Sequence, residues 1–358
     1  MKNLEIGVFL PIAKNGFVFS TNAPSYEPKY TTNLQIARAA EALGLDYVFA
    51  MSKWRGFGGA SSFWDSALES FSLMSALAAD TDRIDLVATV NPLLYHPVLM
   101  AKMAATIADV SGGRLRLNII TGATLAEYAQ MGIVPENYDK SRYEYASEWI
   151  QLVRRLWSEE RVTHLGKYFQ LEDCVSDPKP ALRPQIVCAG TSEEGLRFTA
   201  RETDVSFISG RNLEEAKLKA IRAKEIAREE GKQIKTSVAL NLVMRNTQKE
   251  AEAYSEFLIE GADIEAVTNV GNAQLKENRE RSQKHGAARL ADPRRIYFGM
   301  PVIGEPALVA NTIADLSSEG DIDSILLIFP DYLEGLDCFG RHVMPRLKDM
   351  PQITLSGA

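Results

Sequence analysis

Very little in this chain can hold a metal or form a disulfide. Its 358 residues include three cysteines, Cys174, Cys188 and Cys338, and four histidines. The cysteines lie far apart with no CxxC spacing, which excludes a disulfide framework and points to a reducing compartment. His96, His164, His285 and His342 form no HxH or HxxxH pair, so no metal motif is visible. Excess positive charge is also missing: the formal net charge of -7 argues against a nucleic-acid partner. No apolar run approaches the roughly 18 residues of a membrane span. The N-terminal run after Lys2 is short, contains Gly7 and Pro11 and lacks a small-residue cleavage pattern. It reads as a first strand rather than a signal peptide, and a soluble, cytoplasmic protein is expected. There is no Ser/His/Asp set and no GxGxxG after the first strand. An enzyme so equipped would leave the hard chemistry to a cofactor.

What is present is an alternation. Short aliphatic runs at Leu4–Leu10, Tyr47–Met51, Ile84–Val90, Leu115–Thr121, Gln185–Gly190, Val205–Ile208, Thr236–Met244 and Ser324–Phe329 read as strands. Helical patterns lie between them: Thr31–Leu43, Asp65–Ala79, Pro97–Val110, Ser141–Trp157, Asn212–Glu230, Glu305–Ser317 and Leu333–Leu347. Capping signals support the helix starts, with Ser141 and Glu144, Thr191 and Glu194, Asn212 and Glu215, and Thr247 and Glu250 at the required spacing. About eight strands, each followed by a helix, predict an α/β fold, a parallel (β/α)8 TIM barrel with insertions. A doubly wound open sheet is the alternative. Residues 1–358 read as one domain, with a polar, charge-rich stretch at 262–299 expected to be a lid or insertion.

The stretch Ser111–Ala123, SGGRLRLNIITGA, places a single amide, Asn118, inside a strand that reads as buried on both faces. Such a group either bonds its neighbours or faces a ligand. In a (β/α)8 barrel the site lies at the C-terminal ends of the strands. That rule selects the loop Ser52 to Gly59 (SKWRGFGG), then Thr89 and Asn91, then Asn118 and Thr121, and the turn Gly190-Thr191-Ser192. The Thr89/Asn118 pair is either a satisfied core pair or a polar patch facing the site. GTSEEG opens a helix whose N–H groups suit a phosphate, although Glu193 and Glu194 also simply suit the helix dipole. Arg142 and Tyr143 fall in the first turn of the Ser141 helix, where an arginine opposes the dipole and suggests an anion to hold. His96, before Pro97, reads as a cap or packing residue.

Three segments carry a resemblance: HPVLMAKMAATIADVSGGRLRLNIITG (His96–Gly122), CAGTSEEG (Cys188–Gly195) and VIGEPALVANTI (Val302–Ile313). On these the sequence is similar to the bacterial luciferase-like flavin monooxygenase superfamily over nearly its whole length. IGVFLPIAKNGFVFSTNAPSYEP, RGFGG with FWDSALESF, and EYAQMGI with SRYEY resemble its pyrimidine monooxygenase subgroup, which opens the uracil ring. The resemblance implies a luciferase-like barrel that binds reduced FMN supplied by a separate NAD(P)H:flavin reductase. It then uses O2 to oxygenate a small planar, pyrimidine-like heterocycle. It implies that Ser52, Lys53, Asn118 and Glu127 lie at the flavin, that Arg142, Tyr143 and Ser192 reach its phosphate end, and that Thr89 and Asn118 line an oxygen pocket. It also implies a homo-dimer or tetramer. Ala123 stands where the subgroup carries tryptophan, and Asn22 where the pyrimidine enzyme carries histidine. Losing the indole opens space at one wall, so another nitrogen heterocycle or an organosulfur substrate also fits. A deazaflavin-dependent dehydrogenase and a non-catalytic flavin-binding barrel are the other functional readings.

Overall fold

Eight parallel strands close on themselves. In this computed structural model, which describes residues 2–122, 125–190, 192–276, 280–292 and 294–356, they are Lys2–Phe9 (β1), Tyr47–Ala50 (β2), Asp85–Val90 (β3), Leu115–Ile119 (β4), Gln185–Cys188 (β5), Val205–Ile208 (β6), Lys235–Met244 (β7) and Ser324–Ile328 (β8). Each pairs with the next in chain order, and β8 returns to β1 with Glu5 opposite Ser324 and Val8 opposite Leu327. That closure rules out the open sheet. The strands are short and aliphatic because both faces are buried: one row of side chains fills the barrel and the other packs under helices. All five residues of β8 and all four of β2 are buried.

The helices follow local signals in most places. Pro97–Val110 starts on its proline. Asn212 caps Leu213–Glu229, and Thr247 and Glu250 form a complete capping box. His96 is a cap, its Nδ1 accepting the Val98 N–H at 3.4 Å. Three expectations need correction. The second helix begins at Ser70 rather than Asp65, because the Glu69 carboxylate accepts the N–H groups of Phe71 and Ser72 and starts it there. The long helix runs Tyr138–Ser158, so Ser141 lies inside it and Glu144 bonds Lys167 and Tyr168 instead of closing a capping box. The helix after β5 is capped by Ser192, whose oxygen accepts the Gly195 N–H at 3.1 Å; Thr191 lies outside the described residues.

Further strands surround the barrel. A hairpin, Val162–Leu165 with Gln170–Cys174, stands in the β4–β5 connection. Met300–Gly304 extends the sheet beside the upper half of β7, and Ile353–Leu355 pairs with the start of β1. The 262–299 stretch carries two helices, Ile264–Leu275 and Glu280–Ala291. They pack so closely that a Cβ added at Gly286 would lie 2.5 Å from the Gly271 carbonyl oxygen. Among the described residues, no helix is long and apolar enough to cross a membrane.

Candidate active site

Three clusters sit at the C-terminal rim across the neighbouring strands β2 to β5. The first is made by register. Thr89 on β3 pairs directly with Asn118 on β4, so both side chains point the same way. Asn118 Nδ2 donates to Thr89 Oγ1 at 3.0 Å. The Thr89 N–H donates to Ser70 Oγ at 2.8 Å, and Ser70 Oγ donates in turn to the Ala50 carbonyl at 3.1 Å, which ties β3 to β2. Both members of the pair are buried. Asn118 Oδ1 is buried and meets no partner among the described residues, a situation that costs ~1–3 kcal/mol unless something donates to it.

The second cluster joins the loop after β2 to the segment after β4. Lys53 Nζ pairs with Glu127, their side chains only 5% and 7% exposed. Two ions taken out of water are expensive unless further groups satisfy them. Here the Trp54 N–H donates to the second Glu127 oxygen at 2.8 Å, and the ammonium lies 4.1 Å from the Phe57 ring centre and 5.3 Å from that of Trp64. Ser52 Oγ accepts from Trp54 Nε1 at 3.0 Å. Beside it, burial pushes the Tyr128 phenol up to about 12, with Asn91 and Ser52 as hydrogen-bond neighbours.

The third cluster surrounds the start of the helix after β5. Arg142 is buried, its guanidinium 4.6 Å from the Tyr143 ring centre. Asp139 takes its Nη1 at 2.8 Å, while Nε is buried with no partner among the described residues. The Tyr143 hydroxyl stands over the helix start, where a Cβ on Gly195 would lie 2.7 Å from it. Gly190 and Gly195 touch backbone to backbone, and a Cβ at Gly190 would meet the Gly195 carbonyl oxygen at 2.5 Å. Glu193 turns outward to Arg222 and Arg197. Arg142 is in the second turn of its helix, so Asp139 and Glu194, rather than the dipole, are its charged company.

The structure therefore joins Thr89 to Asn118, Lys53 to Glu127, and Arg142 and Tyr143 to the Ser192–Gly195 turn. Asn22 is elsewhere, donating to the Phe257 carbonyl at 2.7 Å, and Ala123 lies outside the described residues. Sequence reasoning missed Ser70, Tyr128 and Trp64. Ser70 falls inside the expected Asp65–Ala79 helix, and its bond to the Thr89 N–H joins the start of the actual helix to β3. A concavity of about 500 Å³ opens at the opposite face, lined by Arg154, Arg183, Asp204 and Lys232 among others. It shares no residue with the three clusters, and its charges largely pair among themselves, Arg183 gripping Asp204 at 2.7 and 3.0 Å.

The sequence pattern of the family described as luciferase-like monooxygenase matches residues 4–321. The chain belongs to the luciferase-like monooxygenase family. It is accordingly a flavin-dependent monooxygenase. Among its relatives, the pyrimidine monooxygenase RutA of Variovorax paradoxus is 36% identical over 352 residues, covering 96% of this chain and 95% of that one. RutA of Methylorubrum extorquens strain PA1 is 38% identical over 358 residues, covering 98% and 96%. Among solved structures, a riboflavin lyase (RcaE) with modified FMN and riboflavin superposes with a TM-score of 0.87 at 23% identity, covering 100% of this chain and 94% of that one. DmoA from Hyphomicrobium sulfonivorans superposes at 0.81 and 18% identity, covering 97% and 88%. These two structures share the fold of this chain.

Proposed function

We propose that this monooxygenase binds reduced FMN at the C-terminal rim and uses oxygen to open the ring of a small pyrimidine-like heterocycle of the uracil or thymine type. The observation that carries the reading is Asn118: buried, bonded on one side to Thr89, and left with an oxygen that has no partner among the described residues, in a strand whose only other polar residue, Arg116, is paired with Glu5 and Asp85. Relatives named for pyrimidine oxygenation, 36–38% identical over almost the whole length, support the substrate class.

The third cluster suits the flavin's phosphate end. The unpartnered Arg142 Nε, the Ser192 hydroxyl proton and the helix N–H groups are donors without enough acceptors, and Gly190 and Gly195 let the backbone come close. Tyr143 adds its hydroxyl. Ser52, Lys53 and Glu127 would flank the ring system, with the lysine ammonium set against the rings of Phe57 and Trp64. Bound flavin supplies the electrons that activate oxygen, which no side chain here can do. Thr89, whose oxygen takes one Asn118 N–H, presents its hydroxyl proton, and Asn118 its second amide hydrogen, to negative charge as it develops, while the Asn118 oxygen is left to accept from a bound N–H group. They act from fixed, buried positions, where such dipoles count most. Reduced FMN arrives by diffusion from a separate NAD(P)H:flavin reductase, and the barrel works as a dimer or tetramer.

The test is a screen with reduced FMN, a reductase and isotopically labelled oxygen against uracil, thymine, other heterocycles and sulfones, read by mass spectrometry. Labelled, ring-opened product from uracil or thymine is expected. Label only in a product of another class overturns the substrate assignment.

A further inference from the structure

We infer that Asp263 is a positioning residue: from the 262–299 insertion it sets the loop after β2 and thereby holds Lys53 in place. Its effect on the flavin rests on the reading above, whereas its effect on Lys53 does not.

Asp263 is buried at the start of the helix Ile264–Leu275. A helix cap needs one acceptor oxygen, and Oδ1 fills that role by accepting the Ala266 N–H at 3.0 Å. Oδ2 does something else. It accepts both the N–H and the hydroxyl of Ser61, at 2.7 and 2.6 Å, from a loop 202 residues earlier in the chain. The Ala60 N–H is a further donor to the same carboxylate. Gly59 comes so near, with φ +78°, that a Cβ there would overlap the carboxylate. Six residues on, Asn269 Nδ2 donates to the Phe57 carbonyl at 2.8 Å. The insertion thus grips the loop at Phe57 and at Ser61.

The base of the insertion is itself held. Its Asp263 N–H donates to the Phe19 carbonyl at 2.9 Å, the Phe19 N–H to Ile296 at 2.7 Å, and the Phe298 N–H to Phe17 at 3.0 Å. The start of the helix is therefore held independently of the loop, which is itself tied to residues 14–16 through Ser61, Trp64 and Ser66; Asp263 adds the tie between the two. Around these grips the loop folds back on itself, the Phe57 N–H donating to the Phe63 carbonyl and the Phe63 N–H to the Gly58 carbonyl, both at 2.8 Å. That fold puts the Phe57 ring under the Lys53 ammonium. A carboxylate taking several donors holds them more firmly than a neutral acceptor would.

Asp263→Asn separates the two roles. Asparagine caps a helix as well as aspartate does, but its NH2 group would face the Ser61 donors. Ser61→Ala removes only the hydroxyl bond and guards against a misfolded first variant. In flavin-free protein, the rate of Lys53 acylation by an N-hydroxysuccinimide ester is read by peptide mass spectrometry. FMN affinity is read by flavin fluorescence, and the thermal midpoint by circular dichroism. Both variants should raise Lys53 reactivity and the FMN Kd, by an amount on the order of tenfold for Asp263→Asn, with the thermal midpoint close to that of the parent. In a Phe57→Ala background Asp263→Asn should add nothing further. Unchanged Lys53 reactivity in both variants overturns the inference, as does full additivity with Phe57→Ala. Lys53→Met tells the two readings apart: if it leaves FMN affinity unchanged, the flavin placement fails while the acylation rates still decide the role of Asp263.

Discussion

Asn118 has two ends with different situations. One of its two amide hydrogens goes to Thr89, and its oxygen meets no partner among the described residues. Asn118→Ala should leave the fold intact and lower product formation with reduced FMN by about 10²–10³-fold, the cost of losing one preorganised donor. Near-normal single-turnover product would remove the pair from the oxygen chemistry. Arg142 has the complementary imbalance, a buried Nε and one acidic neighbour within contact. Arg142→Ala should weaken FMN binding by ~1.5–3 kcal/mol, the value of a hydrogen bond to a charged group. An unchanged dissociation constant in titration would place the phosphate elsewhere. Asn118 stands out in the sequence because it is polar where its strand makes polarity costly, whereas Arg142 stands out there only through a first-turn dipole argument that its second-turn place removes. Their partners do not stand out: Ser70, Tyr128 and Asp139 are ordinary residues in ordinary places until the chain folds.

At the scale of elements, signals contained within one helical turn were readable and those answered from afar were not. Thr247 and Glu250 close a capping box because both groups are local. Ser141 and Glu144 have the same spacing and form none. Asn137, in the left-handed region at φ 58°, starts that helix a turn earlier, and the hairpin residues Lys167 and Tyr168 take the glutamate. Between elements, the approach of the β5 loop to its helix depends on two hydrogens. Gly190→Ala would force a methyl against the Gly195 carbonyl oxygen. It should cost ~1–3 kcal/mol of stability, as overpacking does, and weaken FMN binding with it. Chemical denaturation and a flavin titration check this, and a variant unchanged in both would show that the backbone there can yield.

At the scale of the molecule, the N-terminal face of the barrel carries charge that the site does not use. Arg116, the one cation in the β4 run, binds Glu5 at 2.7 Å and Asp85 at 2.6 Å, and Lys235 joins Glu5 at 2.5 Å. Asp46 stands near this network with the Ile6 N–H at 2.7 Å, and burial pushes its carboxyl up to about 6. Its folded value is above its unfolded one, so the folded state holds the proton longer. This group's contribution to stability therefore falls as pH rises from about 4 to about 6. Asp46→Asn should gain about 1 kcal/mol over the parent at pH 7 after allowance for solvent screening, and close to nothing at pH 4. Denaturant midpoints at the two pH values test it, and an equal gain at both would assign the effect to something other than this proton.

The family and its barrel were legible in the sequence, because eight aliphatic runs buried on both faces and separated by helical periods leave few other ways to hide that much apolar surface. So was the list of rim residues, since polar groups at the ends of such strands have nowhere else to point. Closure, the pairing of Lys53 with Glu127, and the grip of Asp263 on Ser61 were decided only by the tertiary structure. Each joins groups between 74 and over 300 residues apart. No local propensity encodes such contacts; they form only when the β2 loop, the segment after β4 and the insertion are brought to one rim.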